Sequence, residues 1–461
     1  MSGHGVAGRA GRRGPGYTAR HGSAGRAAVS ATRLALLRAR LGLLRARLGR
    51  PGIGRSVVQT AGFNITVTVA GALSGILIAR GTGPTMRGEY TAVTSWLGIA
   101  LMLGELGQSV ALCFYVAKNP RQARAYLATS RAMLLATSAL AMVCGLVLAQ
   151  VLGRGHPGLT MAYRIAFMAL PISCVADCYT FALMGRALPL WNKVRVGQPL
   201  AALAAVIVLS RLRMLTLDTA LLVLLGSLLV QLGWSYWGCR RVRLVPGRLA
   251  TGLVRPLASY GIAQIAAAAP ASVNAYLDQL VLSVTVPPAD LGCYSIAVSV
   301  TLLPAPLVSA IGYVLLPKLA AEATVTPKTR QLQRTAVFAS LAIATALLLP
   351  LALVAPRLVP LVFGPAYRSA VPLLWILTPG GIFLSCGQVT ANLLRGMKRQ
   401  MVVARAEGIA LIFTLVLLAA LLPVLGVTGA AIASTVPYGV SLALMLRQLW
   451  RIPAVTDEGA P

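Results

Sequence analysis

The chain has 461 residues, of which 57% are hydrophobic and only 11% are charged, and its mean hydropathy is +0.77. Because a soluble domain carries about 25% charged residues, this composition excludes a water-soluble globular protein and predicts an integral membrane protein. The formal net charge of +32 does not call for a nucleic-acid partner, since Lys and Arg set the orientation of a membrane chain.

Residues 1–55 differ from the rest because they contain twelve arginines and no acidic residue. We predict a basic, disordered cytoplasmic tail. The segment Leu36–Leu41 repeats as Leu43–Leu48, which is typical of a short amphipathic helix on an anionic inner leaflet. An unstructured tail and an over-extended translation start are the alternatives. The segment lacks the apolar core of a signal peptide.

Twelve apolar runs follow, each close to the ~20 residues that an α-helix needs to cross a bilayer. The sequence therefore predicts an all-α membrane protein of about twelve transmembrane helices in two six-helix lobes. The lobes are 56–238 and 257–449, with a basic linker at 239–256 and a short tail at 450–461. The predicted spans are 56–79, 90–116, 127–152, 161–184, 194–210, 216–238, 257–284, 292–316, 334–355, 370–394, 402–422 and 428–449.

The basic residues agree with this count of spans. With the N-terminus in the cytoplasm, 22 of the Lys and Arg residues outside the tail fall on the cytoplasmic side and eight on the other. This asymmetry follows the positive-inside rule and predicts that both termini are cytoplasmic.

An internal repeat with an offset of 204 residues supports the two lobes. Gly88 and Tyr90 recur as Gly292 and Tyr294, each pair after an apolar run and a Pro-containing turn, and Tyr163-Arg164 recurs as Tyr367-Arg368. Because both halves have six spans and start on the same side, the repeat is parallel, about an axis along the membrane normal.

Ionisable residues inside spans are costly and are usually functional. Four acids qualify: Glu105, Asp177, Asp278 and Glu407. Asp278 lies one helical turn after Asn274, on the same face, and Pro270 should bend that helix. We predict that Asp278 and Glu105 couple transport to an ion or proton. A structural hydrogen bond to a neighbouring helix, or a position near the outer interface, is the alternative for Asp278.

Polar residues also form stripes on several spans. In span one they recur every three to four residues from Thr60 through Asn64 to Gly75, a pattern that also suits close helix packing. Polar stripes on several helices favour a shared aqueous cavity between the lobes. The substrate-contacting residues that we predict are Asn64, Arg80, Gln108, Asn274, Gln388 and Asn392.

Arg80 and Arg87 flank the first turn. Arginine grips phosphate through paired, charge-assisted hydrogen bonds, so Arg80 is the first candidate to contact a pyrophosphate-bearing lipid. Snorkelling to the interface is the alternative, above all for Arg87. The seven cysteines are scattered and only three histidines occur. No metal site, cofactor or catalytic motif is predicted.

Several segments resemble one known family in order and spacing. They are Ile78–Tyr90, Gly104–Ser109, Tyr276–Leu282 with Leu291–Tyr294, Val362–Tyr367 and Leu425–Ala433. They are similar to the Wzx-type polysaccharide flippases of the multidrug/oligosaccharidyl-lipid/polysaccharide exporter superfamily. The resemblance covers about residues 56–449 and does not include the basic tail or the two extra helices of the lipid II flippase branch.

The resemblance implies a transporter of the bacterial plasma membrane, not an enzyme, that alternates between inward- and outward-open states. Its implied substrate is a lipid-linked oligosaccharide, on an undecaprenyl pyrophosphate carrier, moved to the outer leaflet for polymer assembly beside polymerase and glycosyltransferase partners. Two alternatives remain open: a cation-coupled drug or small-metabolite exporter of the same superfamily, and a membrane enzyme of glycan assembly.

Overall fold

A computed structural model describes residues 53–452 except 154, 309–325 and 398. The predicted amphipathic helix and most of the C-terminal tail lie outside these residues. The described chain is helical and contains no strand. Its helices are α1 Ile53–Glu105, α2 Gln108–Lys118, α3 Ala123–Leu152, α4 Pro157–Met168, α5 Leu170–Arg186, α6 Leu188–Arg195, α7 Gly197–Arg211, α8 Leu217–Arg241, α9 Val254–Thr285, α10 Pro288–Thr301, α11 Pro327–Phe363, α12 Ala370–Gly396, α13 Gln400–Leu425 and α14 Val427–Trp450.

The described helices cross a membrane twelve times, as predicted. Ten helical stretches are long and apolar enough by composition, and one of them, Gly62–Glu105, has 44 residues. A straight helix of that length would extend about 66 Å, twice the ~30 Å hydrocarbon core, so it must turn back. Because this stretch crosses twice, the ten stretches account for eleven crossings. The helix α9, with 32 residues, is the twelfth. The all-α membrane fold is confirmed.

The turn in α1 lies at Gly83, whose φ of 79° and ψ of 176° are non-helical and sterically suited to glycine. Thr60, before the turn, accepts a hydrogen bond from Asn192 at the start of the fifth crossing. After the turn, the chain reaches Lys118 at the end of α2. We call the end with Lys118, Arg186 and Arg241 the basic end, and the end with Gly83 the far end.

Helices of each half pack mainly on one another. In the first half, α5 packs against α2, α3 and α8, and in the second half α14 packs against α12 and α13. The helix α9 contacts both sets, since it packs on α2 and α3 as well as on α13 and α14. It therefore links the halves, while the exact lobe boundaries stay a prediction.

The repeat brings its own copies into contact at the far end. A Cβ atom built on Gly88 would lie 1.6 Å from the carbonyl oxygen of Pro288, and one built on Gly292 would lie 2.0 Å from that of Pro84. Both the two glycines and the two prolines are 204 residues apart. The contact is thus reciprocal, which is the signature of a two-fold relation between duplicated elements.

Replacing Gly88 or Gly292 with alanine should destabilise the protein by about 1–3 kcal/mol, because the added methyl group overpacks a backbone-to-backbone contact. Thermal unfolding in detergent measures the effect. The matched control is Gly226→Ala in α8, where a Cβ meets no atom within 4 Å and where alanine should be neutral or stabilising. Equal melting temperatures for Gly88→Ala and Gly226→Ala would contradict the prediction.

Candidate functional site

A cavity of about 320 Å³ lies between the two halves. The first arm of α1 contributes Thr68, Gly71 and Gly75, which belong to the polar and small stripe seen in the sequence. The second half contributes the α10 segment 296–300 and Phe363 at the end of α11. The small residues of the stripe therefore line open space and do not pack closely there. No Cβ built on Gly71 or Gly75 would meet another atom within 4 Å.

Arg87 is the one charged side chain among the described residues that line this cavity. Its Nε donates a hydrogen bond of 3.3 Å to the Ser295 hydroxyl in the other half. The guanidinium also lies 5.9 Å from the centre of the Tyr90 ring. These neutral partners leave its charge available to an anion, and the rest of the cavity is largely apolar.

A second cavity of about 270 Å³ lies within the second half, among α9, α10, α12, α13 and α14. It brings together two predicted residues, Asp278 and Gln388, with Glu407, Ser434 and Tyr438. Glu407 accepts a hydrogen bond of 3.0 Å from Ser441. Arg395 also lines this cavity, so its charged residues are two acids and one cation, and the acids are suited to hold a cation or a proton.

Asp278 is held by a set of hydrogen-bond donors. It accepts from the Tyr294 hydroxyl at 2.5 Å, from the Ser434 hydroxyl at 3.0 Å and from the backbone N–H of Gln279 at 2.7 Å. The side chain is 6% exposed. The predicted structural hydrogen bond is therefore present, and it coexists with a position on the cavity wall, where an ion-coupling role stays a prediction.

Arg80 lies elsewhere, on the exposed surface of the far end. Its Nη1 donates a hydrogen bond of 3.3 Å to the backbone carbonyl of Leu361. Beside it, the Tyr367 hydroxyl donates to the carbonyl of Ala79 at 3.0 Å. Both bonds join the end of the first crossing to the second half. Arg80 is thus placed where it helps to close the far end, outside the inter-half cavity.

Asn64 accepts a hydrogen bond from Arg195 at the basic side of the first half. Arg195 also stacks over the Trp191 ring, with 4.3 Å between guanidinium and ring centre. Sequence reasoning missed Arg195 because it counted this residue among the basic residues of the cytoplasmic side. The available signal was the i, i+4 spacing of Trp191 and Arg195, which places both on one helix face.

Glu105 lies at a break between α1 and α2, where Leu106 has φ 45° and Gly107 has φ 68°. Its carboxyl accepts from Ser109 at 3.1 Å and interacts with the carboxyl of Asp177. Asp177 in turn accepts from Gln231 at 2.9 Å. The two acids form a pair inside the first half, which no spacing along the chain predicts, since Glu105 lies in α1 and Asp177 in α5.

The remaining predicted residues do not themselves line either cavity. Gln108 is buried and donates to the carbonyl of Leu257 at 3.5 Å, a contact between α2 and α9. Asn274 accepts from Thr414 of α13 at 2.7 Å. Asn392 accepts from Arg395 at 3.3 Å. Among the described residues no group of three or more His, Cys, Asp or Glu side chains is arranged to hold a metal ion.

The family model of the polysaccharide biosynthesis proteins matches residues 53–322, more than half of the chain. The chain belongs to this family. The match includes the resembling segments from Ile78–Tyr90 to Leu291–Tyr294, whereas Val362–Tyr367 and Leu425–Ala433 lie beyond it. A search of curated proteins finds no match to the sequence.

Solved structures of the multidrug/oligosaccharidyl-lipid/polysaccharide exporter superfamily share the fold. An inward-facing multidrug resistance transporter of the MATE family aligns with a TM-score of 0.67 at 15% identity, covering 86% of this chain and 98% of that one. The lipid II flippase MurJ in an inward closed conformation aligns with a TM-score of 0.70 at 11% identity, covering 86% and 88%. At these identities the matches establish the transporter fold of this polysaccharide biosynthesis family member, not its substrate.

Replacing Asp278 with alanine should destabilise the protein by about 1–3 kcal/mol, because the buried hydroxyls of Tyr294 and Ser434 would each lose an acceptor. Thermal unfolding in detergent checks this, with Asp290→Ala, an exposed acid at the start of α10, as the control. Tyr294→Phe combined with Asp278→Ala should cost less than the two separate losses together. Fully additive losses would show that Tyr294 and Asp278 do not interact.

Proposed function

We propose that this family member is a flippase that moves a lipid-linked oligosaccharide from the inner to the outer leaflet for cell-surface polysaccharide assembly. The carrier is of the undecaprenyl pyrophosphate type. The observation that carries the proposal is Arg87, a single cation in a largely apolar cavity between the halves. Family membership supports the same substrate class.

The chemistry of the cavity suits the two parts of such a lipid. A guanidinium binds phosphate oxygens through paired, charge-assisted hydrogen bonds that strengthen away from water. The bond from Arg87 to Ser295 joins the halves, so a phosphate that competes for this guanidinium also acts on the contact between them. Apolar neighbours such as Val67 and Ile76 suit the first isoprene units of the carrier.

Transport would proceed by rocking of one half against the other. In the described arrangement the far end is closed by the glycine contact and by the bonds from Arg80 and Tyr367. Release on that side requires these contacts to separate. The second-half cavity with Asp278, and the Glu105 pair in the first half, supply two sites at which an ion or proton could bias the equilibrium.

This assignment also orients the protein in the membrane and implies partners on each side. The basic end and both termini face the cytoplasm of a bacterium, where the tail meets an anionic inner leaflet. Glycosyltransferases would supply the loaded carrier and a polymerase would consume it on the other side. The protein acts as a transporter and carries out no covalent chemistry.

A cation-coupled multidrug or small-metabolite exporter is the second candidate. It is favoured by the fold match to a multidrug resistance MATE family transporter and by the two acids in the second-half cavity. Acidic cavities suit cationic drugs, whereas a cation facing the inter-half cavity repels them. A membrane enzyme of glycan assembly is a weaker candidate, since the aligned solved structures are a multidrug transporter and a lipid flippase.

Arg87→Gln should lower flipping of a fluorescent pyrophosphate-linked oligosaccharide in proteoliposomes at least tenfold, because one charge-assisted phosphate contact contributes about 1.5–3 kcal/mol. Arg87→Lys should retain part of the activity, as a point charge lacks the paired geometry. The control is Arg211→Gln, an exposed arginine of the far end. The variant Arg80→Gln tests Arg80, which the sequence indicates as the first candidate to contact the pyrophosphate and which lies at the same end. Wild-type rates for Arg87→Gln at equal reconstitution would refute the role of Arg87.

Deletion of the gene separates the two candidate functions. For a flippase we expect surface polysaccharide to be lost, loaded lipid carrier to accumulate in the inner leaflet, and sensitivity to cationic drugs to stay unchanged. Carrier accumulation is measured by mass spectrometry of extracted lipids. Raised drug sensitivity with normal surface glycan would instead support the exporter.

A further inference from the structure

A groove of about 300 Å³ lies between α13 and α14 at the basic end, apart from both cavities. Three arginines line it: Arg405 from α13, and Arg447 and Arg451 from α14. All three side chains are exposed. None of the described residues that line the groove is acidic. The groove therefore concentrates three positive charges in one place on the exposed surface of the bundle.

The local structure of the protein does not explain all three of these charges. Arg447 and Arg451 are one helical turn apart on the same face, where like charges repel. The C-terminal end of a helix favours cations, which accounts for Arg447 and Arg451 in α14. It does not account for Arg405, which lies near the N-terminal end of α13. Glu407, the nearest acid in sequence, faces the second-half cavity and binds Ser441.

An apolar track leads from the arginines toward the middle of the membrane. Val402, Ile409 and Leu444 line the groove with the arginines. On the same face of α13 the exposed residues Ile412 and Val416, each 61% exposed, follow Ile409 at helical spacing. A ligand that fits this surface has an anionic head and an apolar chain.

We propose that this groove binds an anionic membrane phospholipid, with its phosphate held by Arg405, Arg447 and Arg451 and an acyl chain along Ile409, Ile412 and Val416. Basic pockets between transmembrane helices bind the head groups of such lipids. A phosphate between the three guanidinium groups relieves their mutual repulsion and uses the paired hydrogen-bond geometry of arginine. A head group with two phosphates can pair with three arginines more completely than a head group with one phosphate. The site is independent of the transported substrate.

The test is lipid binding by the full chain, delipidated in neutral detergent and titrated with cardiolipin, phosphatidylglycerol or phosphatidylcholine, with bound lipid counted by native mass spectrometry. We expect the tightest site to prefer cardiolipin over phosphatidylglycerol and to exclude phosphatidylcholine. Arg405→Gln should weaken cardiolipin binding about fivefold, and the triple change of Arg405, Arg447 and Arg451 to Gln on the order of 100-fold.

The matched control is a second triple change, Arg121, Arg248 and Arg255 to Gln, which removes the same charge from exposed positions of the basic end. Both variants keep the basic tail, so general attraction to anionic lipid is equal. Equal losses in the two triple variants, or unchanged binding in the groove variant, would overturn the proposal. If the groove triple variant melts early, the Arg405→Gln and Arg447→Gln single variants decide the question, with the same expected fivefold losses.

Discussion

The reciprocal contact of Gly88 with Pro288 and of Gly292 with Pro84 is the constraint on which the rest of the arrangement depends. Because neither glycine has a Cβ, two helix starts from different halves approach to backbone contact. That approach brings Arg87 within hydrogen-bond distance of Ser295. It also allows Tyr367 to reach the carbonyl of Ala79. The inter-half cavity with Arg87 exists because the helices that enclose it are tied together at one end.

A second close contact lies nearer the basic end, at the break between α1 and α2. A Cβ built on Gly107 would lie 2.3 Å from the carbonyl oxygen of Gly261 in α9, and one on Gly261 would lie 2.7 Å from that of Leu106. Aromatic contact follows, since Phe114 and Tyr260 stack with 4.7 Å between ring centres. The halves therefore meet along one line from α1 through α2, and a rocking motion must hinge on or break these two glycine contacts.

The crossings were predictable from sequence because apolar runs of bilayer length and the positive-inside pattern are strong, local signals. The boundaries of the crossings were less predictable. The fifth span was predicted from 194, whereas α6 begins at Leu188, because the polar pair Asn192-Lys193 interrupts the apolar run. Inter-helix partners were not predictable. Asn274 and Asp278 do share a face of α9, but Asn274 bonds Thr414 of α13 and Asp278 bonds Tyr294 and Ser434. Which neighbour each meets depends on helix rotation, which no periodicity specifies.

The duplicated scaffold has diverged at equivalent positions, so that the repeated tyrosine lies beside a cation in one half and beside an acid in the other. Tyr90 and Tyr294 are 204 residues apart, yet Tyr90 lies beside the guanidinium of Arg87 and Tyr294 donates its hydroxyl to Asp278. Position 291, the counterpart of Arg87, is a buried leucine, and position 74, the counterpart of Asp278, is a serine that bonds its own helix. A tyrosine suits both roles because its ring face attracts a cation and its hydroxyl serves an anion. One repeated unit could thus acquire an arginine for an anionic ligand in one half and an acid in the other without moving the helices.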